Sequence, residues 1–216
     1  MVKNKTVCIF DLDDTLYPEA DYIESGIKAV CGAVEELYCI NVFESIFELW
    51  KQGEADWLSR VCEMAGLPIE CKPSLLWIYR LHSPDIQLNE QVRATLAVLD
   101  ETCHLAILTD GRSMTQRLKL RALGLTGIPL YISEEFSSEK PGLERFEQIM
   151  YDFQAQRFFY VGDNPLKDFF APNQLGWETI GIRCFSWRRY VEPRLSSVYL
   201  PRIWVNQFEE ISQFIC

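Results

Sequence analysis

The feature that most constrains this chain is a series of short apolar runs, each closed by a polar or glycine-marked turn and followed by a segment with apolar residues at helical spacing. "TVCIF" (6–10), "HLAILT" (104–109), "PLYIS" (129–133), "RFFYVG" (157–162) and "ETIGIR" (178–183) are such runs, and "RIWV" (202–205) is a weaker sixth. Among them lie the helix-period segments "SMTQRLKLRALGL", "GLERFEQIMYDF" and "PLKDFFAPNQLG", with "VNQFEEISQFIC" as a closing helix. Repetition of run, turn and helix is the pattern of βα units around a parallel sheet. The expectation is an α/β fold: a doubly wound, mainly parallel sheet with a Rossmann-like core.

One interval breaks this rhythm. Between the first run and "HLAILT", only "NEQVRATLAVLDE" (89–101) has the length and position of a crossover helix. The segments "DYIESGIKAVCGAVEELY", "VFESIFELWKQ", "ADWLSRVCEMAGL" and "PSLLWIYRLH" before it read as several helices, so residues 17–84 form an all-helical inserted cap on a core of 1–16 and 85–216. The turns "YPE" and "HSPD" would be its hinges, each stiffened by a proline.

Charge and composition narrow the partners. The 21 Lys and Arg stand against 31 Asp and Glu, a net charge of −10, with no basic block, so nucleic acid and anionic membrane are poor partners. Apolar runs are too short to span a bilayer, and "MVKNKTVCIFDLDD" reaches acids too soon for a signal peptide, which places the protein in the cytoplasm. The eight cysteines are scattered without CxxC spacing and read mostly as small buried hydrophobes, and two histidines, His82 and His104, are too few for a histidine metal site.

Ligands of open α/β sheets bind beyond the carboxyl ends of the strands. The first run ends in Asp11 and Asp13, the second in Thr109, and the fourth in "VGDNPLKD" with Asp163 and Asp168; Lys140 stands in "SEEFSSEKPG" after the third. Carboxylates crowded at one rim call for a cation, and all-oxygen donors suit Mg²⁺. A lysine and a hydroxyl beside them add anion-binding capacity, and a site for both metal and anion suits phosphoryl transfer. With no serine or cysteine paired to a base, the nucleophile left is a carboxylate.

These residues carry a resemblance. "DLDDT" matches the DxDxT motif of the haloacid dehalogenase-like (HAD) hydrolase superfamily, and Thr109, "KPG" (140–142) and "GDNPLKD" match its other three motifs in order. The chain resembles, over its whole length, the subgroup with a helical cap after the first motif. The resemblance implies that Asp11 attacks phosphorus and that Asp13 protonates the leaving oxygen and later activates water. Thr109, with the neighbouring backbone of Asp110 and Gly111, would hold the phosphoryl oxygens, and Lys140 would offset their charge. Asp11, Asp163 and the Asp13 carbonyl would ligate Mg²⁺, with Asp168 supporting the metal site.

Alternatives stand beside several of these assignments. Asp14 reads as a turn residue or solvated acid, Asp163 and Asp168 also suit turn and N-cap roles, Thr109 is at home in a strand, and Lys140 could be a surface lysine. Arg80 and His82, at the cap exit, either face the bound ester or form a satisfied surface pair. Arg112 is either a phosphate-side contact or a solvated first-turn residue, and Trp50, Trp57 and Trp77 read as core of the cap. The leading function is a Mg²⁺-dependent phosphatase acting on a small phosphorylated metabolite, a sugar phosphate or nucleoside monophosphate, as a monomer or homodimer. A phosphomutase and a non-catalytic phosphometabolite-binding protein remain open; a haloacid dehalogenase fits less well because Asp13 supplies an acid that its chemistry does not need.

Overall fold

The computed structural model describes residues 6–185 and 195–215. Six parallel strands form one sheet: β1 (Thr6–Phe10), β2 (His104–Thr109), β3 (Leu130–Ile132), β4 (Arg157–Gly162), β5 (Glu178–Ile182) and β6 (Ile203–Val205), in the order β3-β2-β1-β4-β5-β6. The first strand lies centrally, Phe10 pairing with Ile107 on one side and Val161 on the other. Its side chains alternate faces. Cys8 and Phe10 belong to one apolar cluster and Val7 and Ile9 to another, so the sheet is covered on both sides. Each such aliphatic or aromatic side chain contributes about 1.5–3 kcal/mol by leaving water.

Between β1 and the crossover helix α5 (Glu90–Thr102) run four helices: α1 (Glu19–Tyr38), α2 (Phe43–Lys51), α3 (Trp57–Met64) and α4 (Lys72–Leu81). α1 and α4 pack closely where Gly26 gives room: a Cβ there would stand 2.3 Å from the Tyr79 ring. Any larger residue at position 26 must push the two helices apart. The insert is not a detached lid. Its Tyr22, Ile27, Val30 and Val61 share one continuous apolar cluster with Cys8, Phe10, Leu96 and Leu99.

After β2 comes α6 (Ser113–Leu123), which ends on Gly124 with φ 75°. A short turn α7 (Ser133–Phe136) and α8 (Glu144–Phe153) follow β3. Two expected helices are shorter than the sequence pattern suggests. "PLKDFFAPNQLG" is helical only as α9 (Phe170–Gln174), because the backbone before it bonds to Asp168 instead of winding, and Pro172 is tolerated only near a helix start. The closing segment is a 3-10 turn (Phe208–Ile211) running into α10 (Ser212–Ile215); Cys216 lies outside the described residues. Of the other cysteines, Cys8, Cys31, Cys62 and Cys103 are buried, whereas Cys39 and Cys184 are exposed. No helix among the described residues is long and apolar enough to cross a membrane.

Candidate active site

The site is built on the turn that leaves β1. Asp11 still donates its N–H to Val161, after which the chain folds back, Leu16 N–H bonding to Leu12 O at 3.0 Å. Leu12 and Leu16 are both fully buried, and these apolar pins leave Asp11, Asp13 and Asp14 lining a cleft of about 270 Å³. Asp14 takes a left-handed conformation, φ 54°, and its carboxylate accepts the Glu19 N–H. It is thus a turn residue, but a buried one that lines the cleft, not a solvated acid. Thr109, Asp110, Lys140, Asp163, Asn164 and Lys167 complete the lining with Glu19.

Lys140 is the hub of the first charged cluster. Its Nζ stands 2.7 Å from Asp11 and 2.6 Å from Asp168, and 3.2 Å from the Tyr160 hydroxyl. Asp168 has no exposed surface, and both its oxygens are engaged: Oδ1 by Lys140 and Tyr160, Oδ2 by the N–H groups of Asp163 and Asn164. It fastens the loop after β4 that carries Asp163, while staying within the acid cluster described below. Burial lowers the hydration available to Lys140, but Asp11 and Asp168 overcome that and hold its pKa well above the ordinary value.

Asp13 lies in a different setting. Lys119 Nζ reaches its two oxygens at 2.8 and 2.9 Å, the Tyr17 hydroxyl donates to Oδ1, and Gln116 Nε2 approaches Oδ2 at 3.3 Å. Burial alone would raise its pKa; the charge and hydrogen bonds of Lys119, with those of Tyr17 and Gln116, bring it below the usual carboxylate range. Its side chain lies outside the carboxylate cluster considered next, which leaves its main-chain carbonyl as the group it would offer a metal.

That cluster is Asp11, Asp163 and Asp168, with one carboxylate oxygen from each lying within 4.8 Å of the others. Three acids face one ammonium, and the imbalance is visible: burial, then neighbouring acids, pushes Asp163 up to about 9, while burial raises Asp11 to about 7 against the opposing pull of Lys140. An all-oxygen set short of positive charge fits a hard divalent cation such as Mg²⁺, which Asp11 and Asp163 would hold.

The loop after β2 is held from below by a residue the sequence reading missed. Arg145, fully buried on α8, donates to Thr109 O at 2.8 Å, to Tyr131 O at 3.4 Å and to the Asp110 carboxylate, which also accepts the Lys140 N–H. Thr109 Oγ1 accepts from Gln116 at 2.6 Å. Gly111 departs from expectation: its N–H is already donated to Ser133 Oγ at 2.9 Å, and it lines a neighbouring hollow instead of the cleft.

Neither Arg80 nor His82 lines the cleft. His82 is half-buried within the insert, bonded to Tyr79 O and Ser25 Oγ, and makes no pair with Arg80. Arg80 lies 5.8 Å from the Trp77 ring in a separate hollow of about 420 Å³ at the seam between α4 and α6. Trp57 is core, but Trp77 is 57% exposed and lines that seam. Arg112 pairs with Glu134 at 2.7 Å in the same place. Tyr17, Gln116, Lys119 and Arg145 carried no signal, since each looks like an ordinary helix or turn residue until its distant partner is known.

The chain is similar to two curated archaeal proteins. It is 26% identical over 189 residues to the glyceraldehyde 3-phosphate phosphatase of Methanocaldococcus jannaschii, covering 81% of this chain and 83% of that one. It is also 26% identical over 202 residues to the ribulose-1,5-bisphosphate 5-phosphatase of Halopiger xanaduensis, with the same coverage. Among solved structures, the HAD hydrolase YfnB of Bacillus subtilis, crystallised with magnesium, shares the fold with a TM-score of 0.69 at 18% identity over 99% of both chains. The family profile of haloacid dehalogenase-like hydrolases matches residues 8–182, most of the chain, and the protein belongs to that family.

Proposed function

We propose that the protein is a Mg²⁺-dependent phosphatase that hydrolyses a small phosphate monoester through an aspartyl phosphate on Asp11. The observation that carries this reading is the pairing of two differently set carboxylates at one cleft: Asp11 against Lys140, and Asp13, two residues on, against Lys119. Two acids in distinct environments suit distinct roles. Asp11 attacks phosphorus; Asp13, ionised beside Lys119, receives the proton that a monoanionic ester brings and passes it to the leaving oxygen, then takes one from the water that attacks the aspartyl phosphate. Thr109, held by Gln116, and Lys140 steady the phosphoryl oxygens. Mg²⁺ held by Asp11 and Asp163 would supply the positive charge that the phosphoryl group and the acids together lack.

The substrate class we favour is a sugar phosphate, since the two curated relatives are named for sugar phosphates. Residues 17–84 act as a cap that contacts the non-phosphate part of the substrate. The test is a screen of phosphate esters with Mg²⁺, reporting kcat/KM for each and repeated with Asp11→Asn. Sugar phosphates should lead, and turnover that survives Asp11→Asn would reject the mechanism.

A further inference from the structure

We infer that Lys119 is a positioning residue for proton transfer: its ammonium fixes the Asp13 carboxylate at the cleft and ties that placement to the first helix of the insert. The inference rests on the phosphatase reading, in which Asp13 handles the proton. Lys119 sits on the inward face of α6, one turn beyond Gln116, and its side chain is 5% exposed while that of Asp13 is 22% exposed. Asp13 lines the cleft and Lys119 does not. The lysine therefore reaches the reaction only through the carboxylate it holds.

The hold is two-pronged, at 2.8 and 2.9 Å, and joins residues far apart in the chain. A buried ammonium is tolerated only where an acid answers it, so the pair fixes both partners. Behind the ammonium lies the insert: Lys119 Nζ is 4.1 Å from the Tyr22 ring centre, and Tyr22 packs edge-on against Tyr79 at 5.4 Å and donates to Tyr79 O. Tyr17, at the insert's entry, donates to the same carboxylate. The acid is thus gripped by α6 and by the insert together, and a shift of α1 against the core would be felt at Asp13.

An ion pair that merely bolts α6 to the β1 turn would have a different signature from one that places an acid. Placement matters most when the leaving oxygen needs its proton, so the test compares phenyl phosphate with p-nitrophenyl phosphate, whose leaving group is far less basic. Lys119→Met should lower kcat for phenyl phosphate about a hundredfold and for p-nitrophenyl phosphate about tenfold less than that, with KM for each within about threefold. Equal losses on the two esters, or a change confined to KM, would overturn the inference. Because losing one partner of a buried pair can cost the fold, Lys119→Met is also made on Asp13→Asn, where no lone charge is left. There it should change p-nitrophenyl phosphate turnover by less than about twofold; a further fall of about tenfold would show that Lys119 acts on something other than Asp13. If the parent lacks Asp11-dependent turnover of either ester, the phosphatase reading falls and the inference with it, whereas parental turnover with equal losses overturns the inference alone.

Discussion

Lys140 and Asp168 form an ion pair sealed from water, 2.6 Å apart with side chains 3% and 0% exposed, directly beneath the carboxylate of Asp11. Since Asp168 also caps the N–H groups of Asp163 and Asn164, it fixes both the lysine and the loop that carries Asp163. Asp168→Ala leaves Lys140 short of one partner and two backbone donors unanswered, a loss of about 3–5 kcal/mol. Thermal unfolding should therefore drop by roughly 10 °C for Asp168→Ala, using about 2–4 °C per kcal/mol. An unchanged melting temperature would return Asp168 to a purely metal-supporting role.

Gly162 tests the same anchor from the other side. A Cβ at that position would stand 2.6 Å from Asp168 Oδ2 and 2.7 Å from its Cγ, with no flexible chain end to yield, since the carboxylate is bonded on both oxygens. Gly162→Ala should lower turnover at least tenfold by displacing Asp168 and, with it, Lys140. Parental kcat in this variant would show that the anchor has slack.

Asp11 and Asp163 make stability depend on pH in a direction that can be fixed in advance. A carboxyl whose folded pKa is raised favours the fold while protonated; that contribution is intact below about pH 4. It is lost as pH climbs from the ordinary 3.8 towards about 7 for Asp11 and about 9 for Asp163. Metal-free protein should lose stability from these acids between pH 5.5 and 8, and a cation bound to the ionised acids should restore it. The rise in melting temperature on adding Mg²⁺ should thus be larger at pH 8 than at pH 5.5, and Asp163→Asn should remove most of it. Equal Mg²⁺ effects at the two pH values would mean that the cation binds elsewhere.

EDTA should abolish activity and Mg²⁺ should return it, with Ca²⁺ a poor substitute because its coordination is looser. Asp163→Ala should raise the Mg²⁺ concentration needed for half-maximal activity more than Asp13→Ala does, since the Asp13 side chain faces Lys119 and not the acid cluster. The opposite order would put the Asp13 side chain, and not only its carbonyl, among the metal ligands.

What could be read from the sequence was whatever is local. β1 with its acidic end, β2 ending at Thr109 and β4 ending before Asp163 each combine a strand and a polar turn within a dozen residues, and all appear as expected. What could not be read depends on partners remote in the chain. Asp13 and Lys119 meet across 106 positions, and Asp110 and Arg145 across 35, and nothing in either neighbourhood marks the second residue as special. Loop anchoring also defeats periodicity: the helix-like spacing of "PLKDFFAPNQLG" is overridden where Asp168 takes the N–H groups of Asp163 and Asn164.

The end of α4 separates two residues, Arg80 and His82, that the sequence set side by side. His82 is bonded to Tyr79 O at 2.6 Å and to Ser25 Oγ at 3.1 Å, so it ties α4 to α1 inside the insert. His82→Ala should cost about 1 kcal/mol of stability for the lost hydrogen bonds and leave kcat/KM within about twofold. Arg80 instead opens onto the seam with Trp77, Met114 and Arg112, where its guanidinium could meet an anionic group at the far end of a sugar phosphate. Arg80→Ala should leave stability nearly unchanged and lower kcat/KM about tenfold for the preferred sugar phosphate, yet spare p-nitrophenyl phosphate. Removing residues 17–84 altogether would not isolate this effect, because Tyr22, Ile27 and Val30 are continuous with the apolar cluster on Phe10 and the excised core would expose it. If Arg80→Ala treats the two esters alike, the seam does not read the substrate, and the non-phosphate part must be recognised by cleft residues such as Glu19 and Lys167.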